Sequence, residues 1–65
     1  MQGVVTQFDG HIGRGVVVTA NGTQYGFHCV QIADGSRAIA VGTEVEFAVV
    51  PGPLGQWEAA QIRPQ

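Results

Sequence analysis

The 65-residue sequence contains no lysine. Its only cations are Arg14, Arg37 and Arg63, set against five carboxylates for a formal charge of -2. Nucleic-acid binding draws most of its affinity from cations that displace phosphate counterions. The chain has few cations to offer such a ligand, although an acidic total leaves room for a local basic patch. The missing lysines also fit GC-rich coding beside abundant Ala, Gly and Val, which is codon bias rather than chemistry. A single cysteine, Cys29, excludes an internal disulfide, and the four ligands of a structural zinc are not available. No metal and no cofactor is expected. No apolar run approaches the ~20 residues of a membrane span, and the first residues lack a basic start followed by a long apolar stretch. These features lead to the expectation of a reduced, cytoplasmic protein with no membrane association.

An apolar content of 45% is too high for a disordered chain. A chain this short buries only about 60% of the surface its unfolded form exposes, so modest stability is expected. Residues 1–65 read as one domain without repeats or low-complexity segments.

Five short strands and no helix are predicted. They span Gln2 to Phe8, Arg14 to Thr19, Thr23 to His28, Glu44 to Val50 and Trp57 to Arg63. Asn21-Gly22 fits a tight two-residue hairpin turn, since both residues tolerate positive φ. The fourth strand alternates strictly, with Val45, Phe47 and Val49 on one face and Glu44 and Glu46 on the other. Gly42-Thr43 punctuates its start, and Pro51-Gly52-Pro53-Leu54-Gly55-Gln56 breaks the pattern as a loop. In the last strand Ala60 and Ile62 read as inward, which puts Trp57 outward or at a rim. Many short strands with Gly-rich turns argue for a small barrel or sandwich. At this length closure is favoured, because it removes exposed strand edges. The expected fold is all-β, a five-stranded antiparallel OB-fold barrel. Its core is expected to hold Val5, Val17, Tyr25, Phe27, Ile32, Val45, Phe47, Val49 and Ile62.

Three stretches carry a family resemblance across nearly the whole chain. Thr6-Gln7-Phe8-Asp9 stands where cold-shock domains end their first strand in lysine-tryptophan-phenylalanine-asparagine. Ile12-Gly13-Arg14-Gly15-Val16 is similar to the first RNP motif, lysine-glycine-phenylalanine-glycine-phenylalanine, with the glycines kept and both rings replaced. Tyr25-Gly26-Phe27-His28-Cys29 resembles the second, valine-phenylalanine-valine-histidine-phenylalanine. His28 matches, whereas the two outward phenylalanines have become Gly26 and Cys29. The chain thus resembles a divergent cold-shock domain with a depleted aromatic platform.

The resemblance implies weak binding of single-stranded RNA or DNA without catalysis, and a role as an RNA chaperone or modulator of transcription. Its site residues would be Phe8, Arg14, Val16, His28, Arg37 and Trp57. A guanidinium is planar, so Arg14 or Arg37 can stack on a base while its charge meets a phosphate. The plainer reading of each is a solubilising surface arginine. His28 either meets a base or is a strand histidine without a task. Trp57 is either a relocated stacking platform or a cover for the open barrel end. Phe8 belongs to the platform or to the barrel wall. On a strand, His28 and the adjacent Cys29 would point to opposite faces, which argues against a catalytic Cys–His pair; a redox-sensitive thiol is the alternative reading of Cys29. No other pair of groups has acid–base or nucleophilic geometry, so an enzyme is not expected. The rival to nucleic-acid binding is a protein-interaction or self-associating module, a homodimer for instance, that uses the apolar patch left by Gln7, Val16 and Gly26.

Overall fold

A computed structural model describes residues 1–53 and 55–65; Leu54, read above as part of a loop, lies outside them. Five strands form a closed barrel: β1 (Gln2–Asp9), β2 (Arg14–Val18), β3 (Gln24–His28), β4 (Glu44–Pro51) and β5 (Trp57–Pro64). They follow the order β1-β2-β3-β5-β4 around the ring. Three residues after β3, Cys29–Gln31, form a single 3-10 turn.

The ring is not wholly antiparallel, contrary to expectation. β3 and β5 run parallel, in register at Gly26 and Glu58, while every other neighbouring pair is antiparallel. The reason is geometric. Alternating directions cannot close around an odd number of strands, so at least one seam must be parallel. Here the seam is thin. Beyond Gly26 the chain leaves β5 through the 3-10 turn and returns at an isolated parallel bridge between Ile32 and Ile62.

The core is built from Val5, Val17, Phe27, Ile32, Val45, Phe47, Ala59 and Ile62. Tyr25 and Val49 were expected inside but are only half-buried, packed against the margin of this cluster. Tyr25 lies tilted against Phe47 with ring centroids 5.7 Å apart. Ala59 is a core residue that simple alternation does not find. Its phase differs from that of Ile62 because β5 bulges. Glu46 pairs with Arg63 and Ala48 with Ala60, so β5 places two residues opposite Phe47 alone, and Gln61 takes φ 53°. A bulge of this kind switches which face the next residues present.

The β2–β3 connection also differs from expectation. Gly22 has φ 86°, but Asn21 keeps a negative φ, which rules out a two-residue turn of the primed type. The Gly22 amide donates to the Thr19 carbonyl and the Thr19 amide to the Thr23 carbonyl. This is the three-residue loop Ala20-Asn21-Gly22 with glycine in the left-handed position. The Asn21 Oδ1 accepts from the Thr23 amide and the Thr19 hydroxyl, which holds the asparagine out of the left-handed region.

Gly15 decides how the barrel closes at its β1–β2–β3 end. It pairs with Phe8 on one side and Phe27 on the other. The two rings stack at 6.0 Å and 17°. A Cβ on Gly15 would lie 2.5 Å from Phe27 Cζ and 2.7 Å from the Gln7 carbonyl oxygen. Gly15→Ala is therefore expected to destabilise the fold by about 1–3 kcal/mol, the usual range for overpacking. Gly10→Ala, whose Cβ would meet only the Phe8 ring at 3.7 Å, should change little. Urea denaturation of the two variants checks this, and equal midpoints would show that the Phe27 ring is not fixed by Gly15.

Candidate nucleic-acid interface

The outer face of β1, β2 and β3 carries two rows of side chains set by register. One row runs Gln7, Val16, Gly26 and on to Glu58 of β5; the other runs Asp9, Arg14, His28. Between them lies the inward row Phe8, Gly15, Phe27. Gln7, Phe8, Asp9, Arg14, Val16 and Gly26 line one shallow open groove, with Ile12 of the β1–β2 loop at its lip. Phe8 is half-buried and stacked on Phe27, so it serves as both barrel wall and groove floor.

Arg14 does not stand free in this groove. Its Nη2 donates to Glu58 Oε2 at 3.3 Å, across the parallel seam. It passes over Gly26, where an added Cβ would sit in van der Waals contact with that same Nη2 at 3.4 Å. Here a guanidinium lies over bare backbone. The pair is partly open to water, with side-chain exposures of 43% for Arg14 and 22% for Glu58. An exposed pair of this kind contributes about 0–1 kcal/mol, so it is easily parted.

His28 ends β3 and faces Arg14 in register. Its Nδ1 accepts from the Val30 amide at 3.2 Å, capping the 3-10 turn. The neutral ring therefore carries its proton on Nε2. Because the strand stops at His28, the expected opposition of His28 and Cys29 does not hold. Cys29 Sγ lies 3.8 Å from His28 Nδ1. The cysteine is half-buried against the core margin and under Gly13, where a Cβ would come within 3.0 Å of the sulfur.

Arg37 is exposed on the loop after the 3-10 turn and shares a second groove with His28, Cys29, Val30 and Ser36. Arg14 and His28 are cross-strand neighbours, and His28 and Arg37 share this second groove. Trp57 begins β5 and is 61% exposed, so it does not plug the barrel end. It borders a third groove with Gln24, Tyr25, Gln56 and Gly26, and Gly26 is shared with the Arg14 groove. Val16 is half-buried in the middle of the first row. Each of the six predicted site residues lines one of three grooves; the first and third share Gly26, whereas the second, with His28 and Arg37, shares no lining residue with either. Glu58 is the member that the sequence does not point to; Gly26 is expected there only as part of the apolar patch of the rival reading. Only the register of a parallel seam brings Glu58 to Arg14, and no periodicity within β5 signals it.

No protein-family model matches this chain, and a search of curated proteins finds no match.

The loop that carries Arg37 is shaped by Asp34. Its Oδ1 accepts from the Ser36 amide at 2.9 Å, and Gly35 adopts φ 81°. This hydrogen bond, aided by the Ser36 side chain, holds the fully exposed Asp34 carboxyl below its ordinary value. A lowered carboxyl contributes order that is complete above the ordinary carboxylate pKa and is lost as pH falls through the lowered one. The Ser36 amide resonance is therefore expected to titrate with a midpoint below that of a free aspartate. Asp34→Ala should remove the transition. A midpoint at or above the free value would show that the turn does not form in solution.

Proposed function

We propose that this protein is a cold-shock-like OB-fold module that binds single-stranded nucleic acid weakly and catalyses no reaction. The observation that carries the reading is the outer face of β1–β3, where Phe8, Arg14 and Val16 line one groove that meets the Trp57 groove at Gly26, and His28, beside Arg14 in register, lines a second groove with Arg37. The barrel topology supports it. β4 crosses past β3 to lie beside β1, a Greek-key return within a five-stranded barrel. OB-folds bind oligonucleotides on the face of strands 2 and 3 and on the loops joining strands 1–2 and 4–5. Ile12 and Trp57 lie in or beside those two loops.

The chemistry on this face is mixed. A half-buried ring, an imidazole Nε2–H, an exposed indole and a planar guanidinium each suit an unstacked base. Only two cations, Arg14 and Arg37, line these grooves. Stacking must therefore supply most of the affinity, at about 1–3 kcal/mol per base on an aromatic.

The rival reading is a protein-interaction or self-associating module. It is favoured by the exposure of Ile12 (60%) and Val30 (73%) and by the pairing of Arg14 with Glu58. Titration of a short pyrimidine-rich strand, read by the fluorescence of the sole tryptophan, decides between them. The nucleic-acid reading expects saturable quenching of Trp57. The salt dependence should be no steeper than about -1.4 on a log–log scale, from about 0.7 per neutralised phosphate. Trp57→Phe, followed by anisotropy of a labelled strand, should bind less tightly. Absence of binding at low salt, with concentration-dependent sedimentation instead, would put the rival first.

A further inference from the structure

We infer that Arg14 is a phosphodiester site whose place for the phosphate is held, in the free protein, by the Glu58 carboxylate. The inference rests on the nucleic-acid reading and names the group of the strand that this position would take.

Three features of the geometry support it. First, the contact is single and loose. Only one guanidinium nitrogen meets one carboxylate oxygen, at 3.3 Å, rather than two parallel bonds. Arginine favours oxyanions that it can grip with two donors. A phosphate with two free oxygens can make the fork that Glu58 does not. Second, the guanidinium is pre-positioned. It lies over Gly26, near the junction of the Arg14 groove and the Trp57 groove, where a backbone linking bases in the two would pass. Third, the local anions are few and specific. Arg14 faces Asp9 in register on β1, but the Asp9 Oδ1 accepts from the His11 amide at 2.9 Å, and the one ion pair among the described residues is with Glu58. Glu58 is thus an affinity-setting residue. It holds Arg14 in place when no strand is bound, and it opposes the incoming phosphate through its own charge.

Removing that charge while keeping the side chain's size separates the two roles. Glu58→Gln is expected to raise affinity for a short pyrimidine-rich strand about fivefold at 0.1 M salt, the factor one added phosphate contact gives relative to 1 M. Its log–log salt dependence should steepen by about 0.7. In an Arg14→Ala background the same substitution should lose most of its gain, because the phosphate then has no guanidinium to meet. Circular dichroism keeps the fold in view, and the partly exposed pair makes unfolding of either variant unexpected.

Two further arms identify the source of the phosphate. An abasic strand should still respond to Glu58→Gln, whereas inorganic phosphate at millimolar concentration should not compete if the site needs the backbone of a polymer. Binding of inorganic phosphate at Arg14, with Glu58→Gln leaving strand binding unchanged, would assign Arg14 to free phosphate and overturn the inference. If wild type binds the strand and Glu58→Gln changes neither affinity nor salt dependence, the phosphate site is wrong while nucleic-acid binding stands. If neither wild type nor Glu58→Gln binds any strand, both readings fall together.

Discussion

Closing a ring of five strands forces one parallel seam, and the chemistry of the outer face follows from where that seam falls. It falls between β3 and β5, at Gly26 and Glu58. An antiparallel partner beside β3 would have brought a different residue to Arg14. With Glu58 there, the guanidinium finds a carboxylate across two strands, and the absence of a Gly26 side chain leaves its path clear. A ring at residue 26, as in the motif this stretch resembles, would have occupied that path.

Two glycines on facing strands have opposite tasks in this arrangement. Gly15 points its missing side chain inward, and the space admits the Phe27 ring beneath Phe8. Gly26 points its missing side chain outward, and the space admits Arg14. The first sets the groove floor and the second sets its charge. The result is a face with few aromatic rings and with its central cation partly neutralised. On the nucleic-acid reading proposed above, such a face would bind weakly, by stacking at Phe8, His28 and Trp57 more than by counterion release.

Local pattern made much of the barrel legible. Alternation in Glu44–Pro51 located β4, and valine-rich runs bounded by glycine located β1 and β2, with boundaries within a residue or so of those observed. Core residues whose strands obey strict alternation, such as Val17 and Phe47, were readable for the same reason. The bulge in β5 was not, because it arises from fitting a twisted strand against β4, and no residue in Ala59–Ile62 announces it; Ala59 was missed accordingly. The parallel seam could have been inferred from the strand count alone once closure was accepted. The contact of Cys29 with His28 depended on knowing that β3 ends at His28. Of the candidate site, Phe8, Arg14, Val16 and His28 stand at motif positions, Trp57 was placed outward by strand parity, and the Arg14–Glu58 contact is a product of register and lies beyond any one-dimensional pattern.

The Arg14 side chain itself reports most directly on this picture. Its guanidinium resonances can be followed by nitrogen–proton correlation, with the Glu58 carboxyl carbon observed in parallel, while a short pyrimidine strand is added. Both signals should move together and saturate with the same dissociation constant as Trp57 quenching, as the carboxylate gives way to a phosphate. Saturation of Trp57 with the Arg14 and Glu58 signals unmoved would contradict it, and would place the strand on a different face of the barrel.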